Sequence, residues 1–213
     1  ALCEIKVPER NPDETPLFLV ARSFDINKPG TKPQNLHGAV LGGTLKKGIL
    51  KVGDTIEIKP GIMTKEANQL KYKTIKTKIS SLFKGSSKTD KITPGGNASI
   101  ETELDMALGK ADILSGCVVS LQGKLPEITN KITIKYQLFK EFLGGIQIPP
   151  LKPSETIMLS INTSVTVGVI SKLLKEEAEI HLKIPIVPFK DNKVGIARNV
   201  NNHWRLIGHG EIK

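Results

Sequence analysis

The sequence has 213 residues, 38% of them hydrophobic, with 31 Lys and Arg against 21 Asp and Glu for a formal net charge of +10. A chain of this length buries a real core and accommodates two ordinary domains, and its basic balance favours a polyanionic partner without establishing one. No stretch approaches the roughly 18 apolar residues of a membrane span, and Cys3 and Cys117 lack the spacing of a zinc site or a disulfide framework. A cytoplasmic, reducing compartment with no membrane partner is therefore expected.

In chain order, an apolar run Leu17 to Ala21 comes first, followed by a polar loop carrying Asp25, Asn27, Lys28, Pro29, Gly30 and Pro33 and a second apolar run from Gly38 to Gly43. The stretch "LKKGILKVGDTIEI" places Gly48 and Gly53 at tight turns, where glycine supplies a positive φ. Its last residues open a period-two pattern with Ile56 and Ile58 on one face and Glu57 and Lys59 on the other, a half-buried strand. Strand-like runs recur at Thr77 to Phe83, at Asn97 to Thr102 after "TPGG", and at Cys117 to Gln122. The one helix-like stretch, "LDMALGKADILSG", contains two glycines and is expected to be a turn or a short helical piece.

Gly123 and Pro126 in "LQGKLPEI" interrupt two strand-like runs and place the expected division between residues 1–123 and 124–213. Beyond it, "KITIKYQL" alternates Ile132, Ile134, Tyr136 and Leu138 with polar residues, and "ETIMLSIN", "VTVGVIS", "EAEIHLKIPIV" and "HWRLIGHGEI" continue the pattern between Pro and Gly clusters. Closely spaced short strands of this kind build sandwiches or barrels, and barrels remove exposed edges, so the expected fold is all-β with two β-barrels.

Catalytic signals are weak. His37, His181, His203 and His209 form no tight metal spacing, and GxSxG and GxxxxGK[ST] are both missing. "INKPG" has Gly30 where the guanine-reading NKxD requires an aspartate, so neither catalytic nor metal-ligating residues are expected. His181 alternates with Glu179 and Lys183 on an outward strand face, whereas Trp204, between His203 and His209, belongs to a residue type usually buried for packing. Residues 59–91 hold nine lysines against Glu66 and Asp90. On strands, Lys76 and Lys78 share a face, and with Lys71 and Lys73 they are candidates to meet RNA phosphates.

The blocks "RSFDINKPG", "LHGAVLGGTLKKGILKVGDTIEIKPGI", "PGGNASIETELD", "KADILSGCVVSLQGKLPEI" and "NHWRLIGHGEI" resemble, in order, the gamma subunit of archaeal and eukaryotic translation initiation factor two. The resemblance spans nearly the whole chain. It departs at His209, where the "WRLIGWG" pattern has a second tryptophan, and at the loosely similar "IETELDMALGK".

The resemblance implies the two β-barrels of the elongation factor Tu-like domain II and domain III type, without the GTP-binding domain. GTP and magnesium would then belong to the missing domain, and no cofactor is expected in this chain. Implied partners are the alpha subunit, methionylated initiator tRNA and the small ribosomal subunit, with the beta subunit met only through the missing domain. Alpha-subunit docking is expected on the loop Asp25 to Leu36, with Asp25, Asn27, Lys28, Pro29 and Gly30 as its centre. By similarity to elongation factor Tu, the tRNA acceptor end would lie near Leu41, Phe83, Gly95, Gly96 and Asn97, with Leu41 and Phe83 as apolar walls.

Overall fold

A computed structural model describes residues 11–213 apart from 67, 68, 143, 144 and 146. The chain is almost entirely β. Its strands are β1 (Leu17–Phe24), β2 (Val40–Lys47), β3 (Leu50–Lys51), β4 (Thr55–Glu66), β5 (Gln69–Lys84), β6 (Ser87–Thr89), β7 (Lys91–Ile92), β8 (Asn97–Thr102) and β9 (Val118–Leu121). They are followed by β10 (Thr129–Leu138), β11 (Thr156–Ile161), β12 (Ser164–Leu173), β13 (Glu177–Ile186), β14 (Lys193–Val200) and β15 (His203–Ile212). The helix-like stretch forms a kinked 3-10 segment, Met106–Asp112, capped by Asp105 accepting from the Ala107 N–H.

The first barrel follows the order β4-β9-β1-β2-β8-β5 and closes through a β4–β5 pairing, with β6 added to β5. Phe18, Leu41, Leu45, Ile56, Leu82 and Ile100 fill it, each at most 2% exposed. Gly43 sits where β1 comes closest: a Cβ there would lie 2.0 Å from the Leu19 carbonyl oxygen, so a side chain would push the strands apart. The second barrel follows β10-β13-β12-β11-β14-β15 and closes by pairing β15 with β10. Its core gathers Ile132, Ile134, Leu159, Ile180, Ile196 and Ile207, with Tyr136 and Leu138 packed against it as the alternation of β10 predicts.

Two compact units result, one drawn from Ala1–Ile58 and Ile75–Lys124, the other from Lys59–Thr74 and Leu125–Lys213. The outer arms of β4 and β5 therefore count with the second unit, although in sequence they lie well before residue 124. Strand β4 is buried on both faces from Ile56 to Lys59, not half-buried as its alternation predicts. Glu57 and Lys59 are 3% and 5% exposed, as buried as Ile56 and Ile58. The Lys59 ammonium donates to the carbonyls of Leu125 (3.3 Å) and Pro126 (3.1 Å) and pairs with Glu127 at 3.1 Å, which compensates a charge that burial would otherwise penalise.

Candidate functional site

The first unit displays a loop between β1 and β2 whose shape is set by its own polar side chains. The Asp25 carboxylate accepts from the Asn27 backbone N–H at 2.9 Å and from its side-chain amide at 2.7 Å. Asn27 also spans the loop: its amide donates to the His37 carbonyl and its oxygen accepts from the His37 N–H, both at 2.7 Å. The hydrogen bonds from Asn27, the backbone one first, hold the Asp25 carboxyl below its usual range, with Lys110 at 3.6 Å adding to the effect and burial opposing it. Further along, Thr31 closes a turn on the Lys28 carbonyl, Gly30 adopts φ +83° and Pro33–Asn35 forms a 3-10 turn.

A second set of ties anchors the loop's base. Arg22 pairs with Asp112 at 2.8 Å, and the same carboxylate oxygen accepts from the Ser23 N–H at 3.0 Å. The guanidinium first, then the Ser23 N–H, lowers the Asp112 carboxyl, and the pairing raises Arg22 in return. Ala111 and Asp112 both have positive φ, 52° and 56°, which is strained for residues with side chains. At the far end, His37 Nδ1 lies 2.7 Å from Glu101 Oε1, linking the loop to β8. Beside this pair lies a groove of about 430 Å³ lined by Leu36, His37, Glu101, Glu103 and Met106 among others.

Of the five residues expected to centre a docking surface, the structure presents Lys28, Pro29 and Gly30 to solvent. Asp25 and Asn27 are half-buried and already engaged within the loop, so their role is to shape it. Ile26 and Leu36, within the expected loop but not singled out from sequence, are 46% and 42% exposed on it. The available signal was two large apolar residues inside an otherwise polar turn. The His37–Glu101 pair carried no local signal, because 64 residues separate its members.

The residues expected at a tRNA acceptor end divide. Leu41 is fully buried and belongs to the barrel core, so its side chain is not open to a role as an exposed wall. The neighbour Leu82 fills the core beside it, which turns Phe83 outward, half-buried, opposite Ser99. Asn97 is exposed on the same side of β8 and its Oδ1 accepts from the Thr44 hydroxyl at 3.2 Å. Gly95 and Gly96 both adopt positive φ ahead of it, 126° and 73°. Phe83, the two glycines and Asn97 thus gather at one end of β8, without Leu41.

The lysines of β5 are all exposed, but they divide between the units: Lys76 and Lys78 with the first, Lys71 and Lys73 with the second. Lys76 and Lys78 alternate with the buried Ile75 and Ile79 and share an outward face, as period-two spacing requires. Among the described residues no group of three or more His, Cys, Asp or Glu is arranged to hold a metal ion, and no helix is long and apolar enough to cross a membrane.

Two closed antiparallel barrels, the first bearing a braced polar loop and lysines on an outward strand face, define an all-β chain of the elongation factor Tu-like domain II and domain III type. Residues 130–212 match the family described as initiation factor eIF2 gamma, C terminal. The chain is 47% identical over 212 residues to translation initiation factor 2 subunit gamma of Methanocaldococcus jannaschii, 98% of this chain and 52% of that protein. It is 46% identical to the protein of the same name from Methanococcus maripaludis and 41% identical to that of Pyrococcus horikoshii, with the same coverage. The chain belongs to the initiation factor 2 gamma family, and it spans about half the length of the curated relatives it matches.

Proposed function

We propose that this chain is the β-barrel part of an initiation factor 2 gamma subunit, which docks the alpha subunit and helps carry methionylated initiator tRNA to the small ribosomal subunit. GTP and magnesium belong to a domain outside this sequence, as does the contact with the beta subunit. The chain itself contributes binding surfaces and no catalytic group, and it works in the cytoplasm. The observation that carries this reading is identity of 41–47% sustained over 98% of the chain with proteins of that name.

The alpha subunit docks on the loop from Asp25 to Leu36. Lys28, Pro29 and Gly30 supply its exposed polar rim, and Ile26 and Leu36 its apolar contacts. Internal bracing by Asp25 and Asn27 supports this assignment, because a loop already held in one conformation loses less entropy when a partner binds. The tRNA acceptor end lies by Phe83, Gly95, Gly96 and Asn97, and Lys71, Lys73, Lys76 and Lys78 meet RNA phosphates.

Calorimetric titration with the C-terminal domain of the alpha subunit from Methanocaldococcus jannaschii tests the docking. Saturable binding is expected, weakened at least about tenfold, or about 1.4 kcal/mol, in the double variant Ile26→Asp, Lys28→Glu. A folded chain that does not bind, or a double variant that binds as tightly as the parent, overturns the assignment.

A further inference from the structure

The ladder between β10 and β13 does not run unbroken. Its register passes from Thr129 opposite Ile186 to Lys131 opposite His181, so a single residue of β10, Asn130, faces four of β13: Leu182, Lys183, Ile184 and Pro185. An excess of this size bows the longer strand away from its partner, and Pro185 has no N–H with which to rejoin the ladder. On its other edge β13 is held. Leu182 pairs with Gly168 of β12, and the Thr166 hydroxyl exchanges hydrogen bonds with the N–H and the carbonyl of Ile184, each at 3.1 Å. The seam therefore opens on the β10 side.

At this opening lies a cavity of about 680 Å³, a size typical of small-molecule sites. The bowed seam supplies part of its lining, and the outer arms of β4 and β5 supply the rest through Met63 and Tyr72. All of these residues belong to the second compact unit. Leu182 is buried, Ile128, Ile184 and Pro185 are half-buried, and Met63 is 56% exposed. An unbranched thioether and a phenol ring beside aliphatic walls suit a flat apolar body, because sulfur and aromatic faces both pack well on rings.

The polar groups of the lining select the ligand. The Thr129 hydroxyl is already spent on the N–H and the carbonyl of Lys131, at 3.1 and 2.9 Å. Two donors remain, the Lys183 ammonium and the Asn130 amide: both residues are exposed, and neither side chain has a partner among the described residues. No Asp or Glu lines the cavity, and carboxylates close to it in the chain and on β13 are engaged, Glu127 by Lys59 and Glu179 by Lys131. A cation would meet Lys183 uncompensated, whereas an anion would gain charge-assisted hydrogen bonds from both donors. We propose that this cavity binds a small organic anion with a flat apolar body, its ring against Met63, Tyr72 and Ile184 and its anionic group on Lys183 and Asn130. A macromolecular interface spreads over roughly 800 Å² of each partner, while here the unmet donors and the apolar walls converge on one cavity. The docking loop and the acceptor-end residues all lie in the first unit, so this inference stands apart from them.

The test is fluorescence titration of the chain with anilinonaphthalene sulfonate, whose sulfonate stands in for the anionic group, and with phenylnaphthylamine, the same ring system without the charge. Saturation at one sulfonate dye per chain is expected, with affinity at least about tenfold higher than for the neutral dye. In ¹⁵N-resolved NMR the sulfonate dye should shift the amides of Met63, Asn130 and Lys183. Lys183→Gln with Asn130→Ala should abolish the preference and leave affinity for the neutral dye unchanged, an outcome that a general loosening of the fold would not produce. Met63→Ala should weaken both dyes alike. All three substituted residues are exposed, so the variants keep the fold. Binding without saturation, equal affinity for the two dyes, or amide shifts elsewhere in the chain would overturn the proposal. So would an unaltered preference in the double variant, or unaltered affinities in Met63→Ala.

Discussion

Asn27 is the residue on which the shape of the β1–β2 loop depends, because its one side chain bonds both backbone groups of His37 as well as Asp25. No single hydrophobic contact in the loop replaces that span. Asn27→Ala is expected to destabilise the first unit by about 1–3 kcal/mol, read from urea unfolding, because it frees a backbone donor and acceptor at once. Asp25 and Asp112 brace the same loop as carboxylates, and both have folded-state pKa values below the ordinary range. A depressed carboxyl contributes stability that is fully present above its unfolded pKa of about 4 and is lost as pH falls through the folded value. The melting temperature of the parent chain should therefore fall more steeply below about pH 4 than that of the double variant Asp25→Asn, Asp112→Asn. Parallel slopes for the two proteins would remove these carboxylates from the acid limb.

At the scale of elements, two strands depart from the rule that polar residues face outward, and each departure has a local cause. In β4, Lys59 is buried because three oxygens converge on its ammonium, from Leu125, Pro126 and Glu127. Lys59→Ala is expected to lower stability by about 2–4 kcal/mol in denaturant unfolding, through lost packing of the stem and unmet carbonyls. Glu127→Gln should change it little, since that side chain is 92% exposed and an exposed partner contributes weakly. In β12, the Thr166 hydroxyl bonds the Ile184 backbone and a Cβ at Gly168 would lie 2.5 Å from Ile180 Cγ2, so these two positions face inward and Val165 and Val169 face solvent. Alternation identified both segments as strands, but which face is inside depends on neighbours distant in sequence, Ile180 and Ile184 for β12 and Leu125 for β4.

For the whole molecule, net charge of +10 translates into function only through where the exposed lysines stand. Lys76 and Lys78 occupy one outward face of β5, and if they neutralise tRNA phosphates their removal reduces the salt dependence of binding. Replacing both with Ala should weaken association with initiator tRNA and flatten the plot of log K against log salt by roughly one unit per lysine. An unchanged slope would assign them to a solvated face. The same folding that exposes these lysines buries Leu41, which withdraws it from the proposed acceptor-end residues, and it turns Phe83 rather than Leu82 outward.

The sequence by itself determined the all-β class, most of the strands and the family, because period-two alternation, glycine turns and specific blocks such as "RSFDINKPG" are local and are written in adjacent residues. It also located the loop between the first two strands, but placed Asp25 and Asn27 at its exposed centre together with Lys28, Pro29 and Gly30, and only those last three are exposed. Only the tertiary structure decided that Asp25 and Asn27 brace the loop from within, that His37 meets Glu101, and that the outer arms of β4 and β5 join the second unit. It also decided that Val165 and Val169 of β12 face solvent and that Trp204, of a residue type usually buried, is 39% exposed. The Asp25–Asn27 bonds are local but depend on the fold the loop adopts, whereas the others depend on pairings between residues far apart in the chain, and a strand's alternation specifies two faces without naming which of them the rest of the barrel will cover.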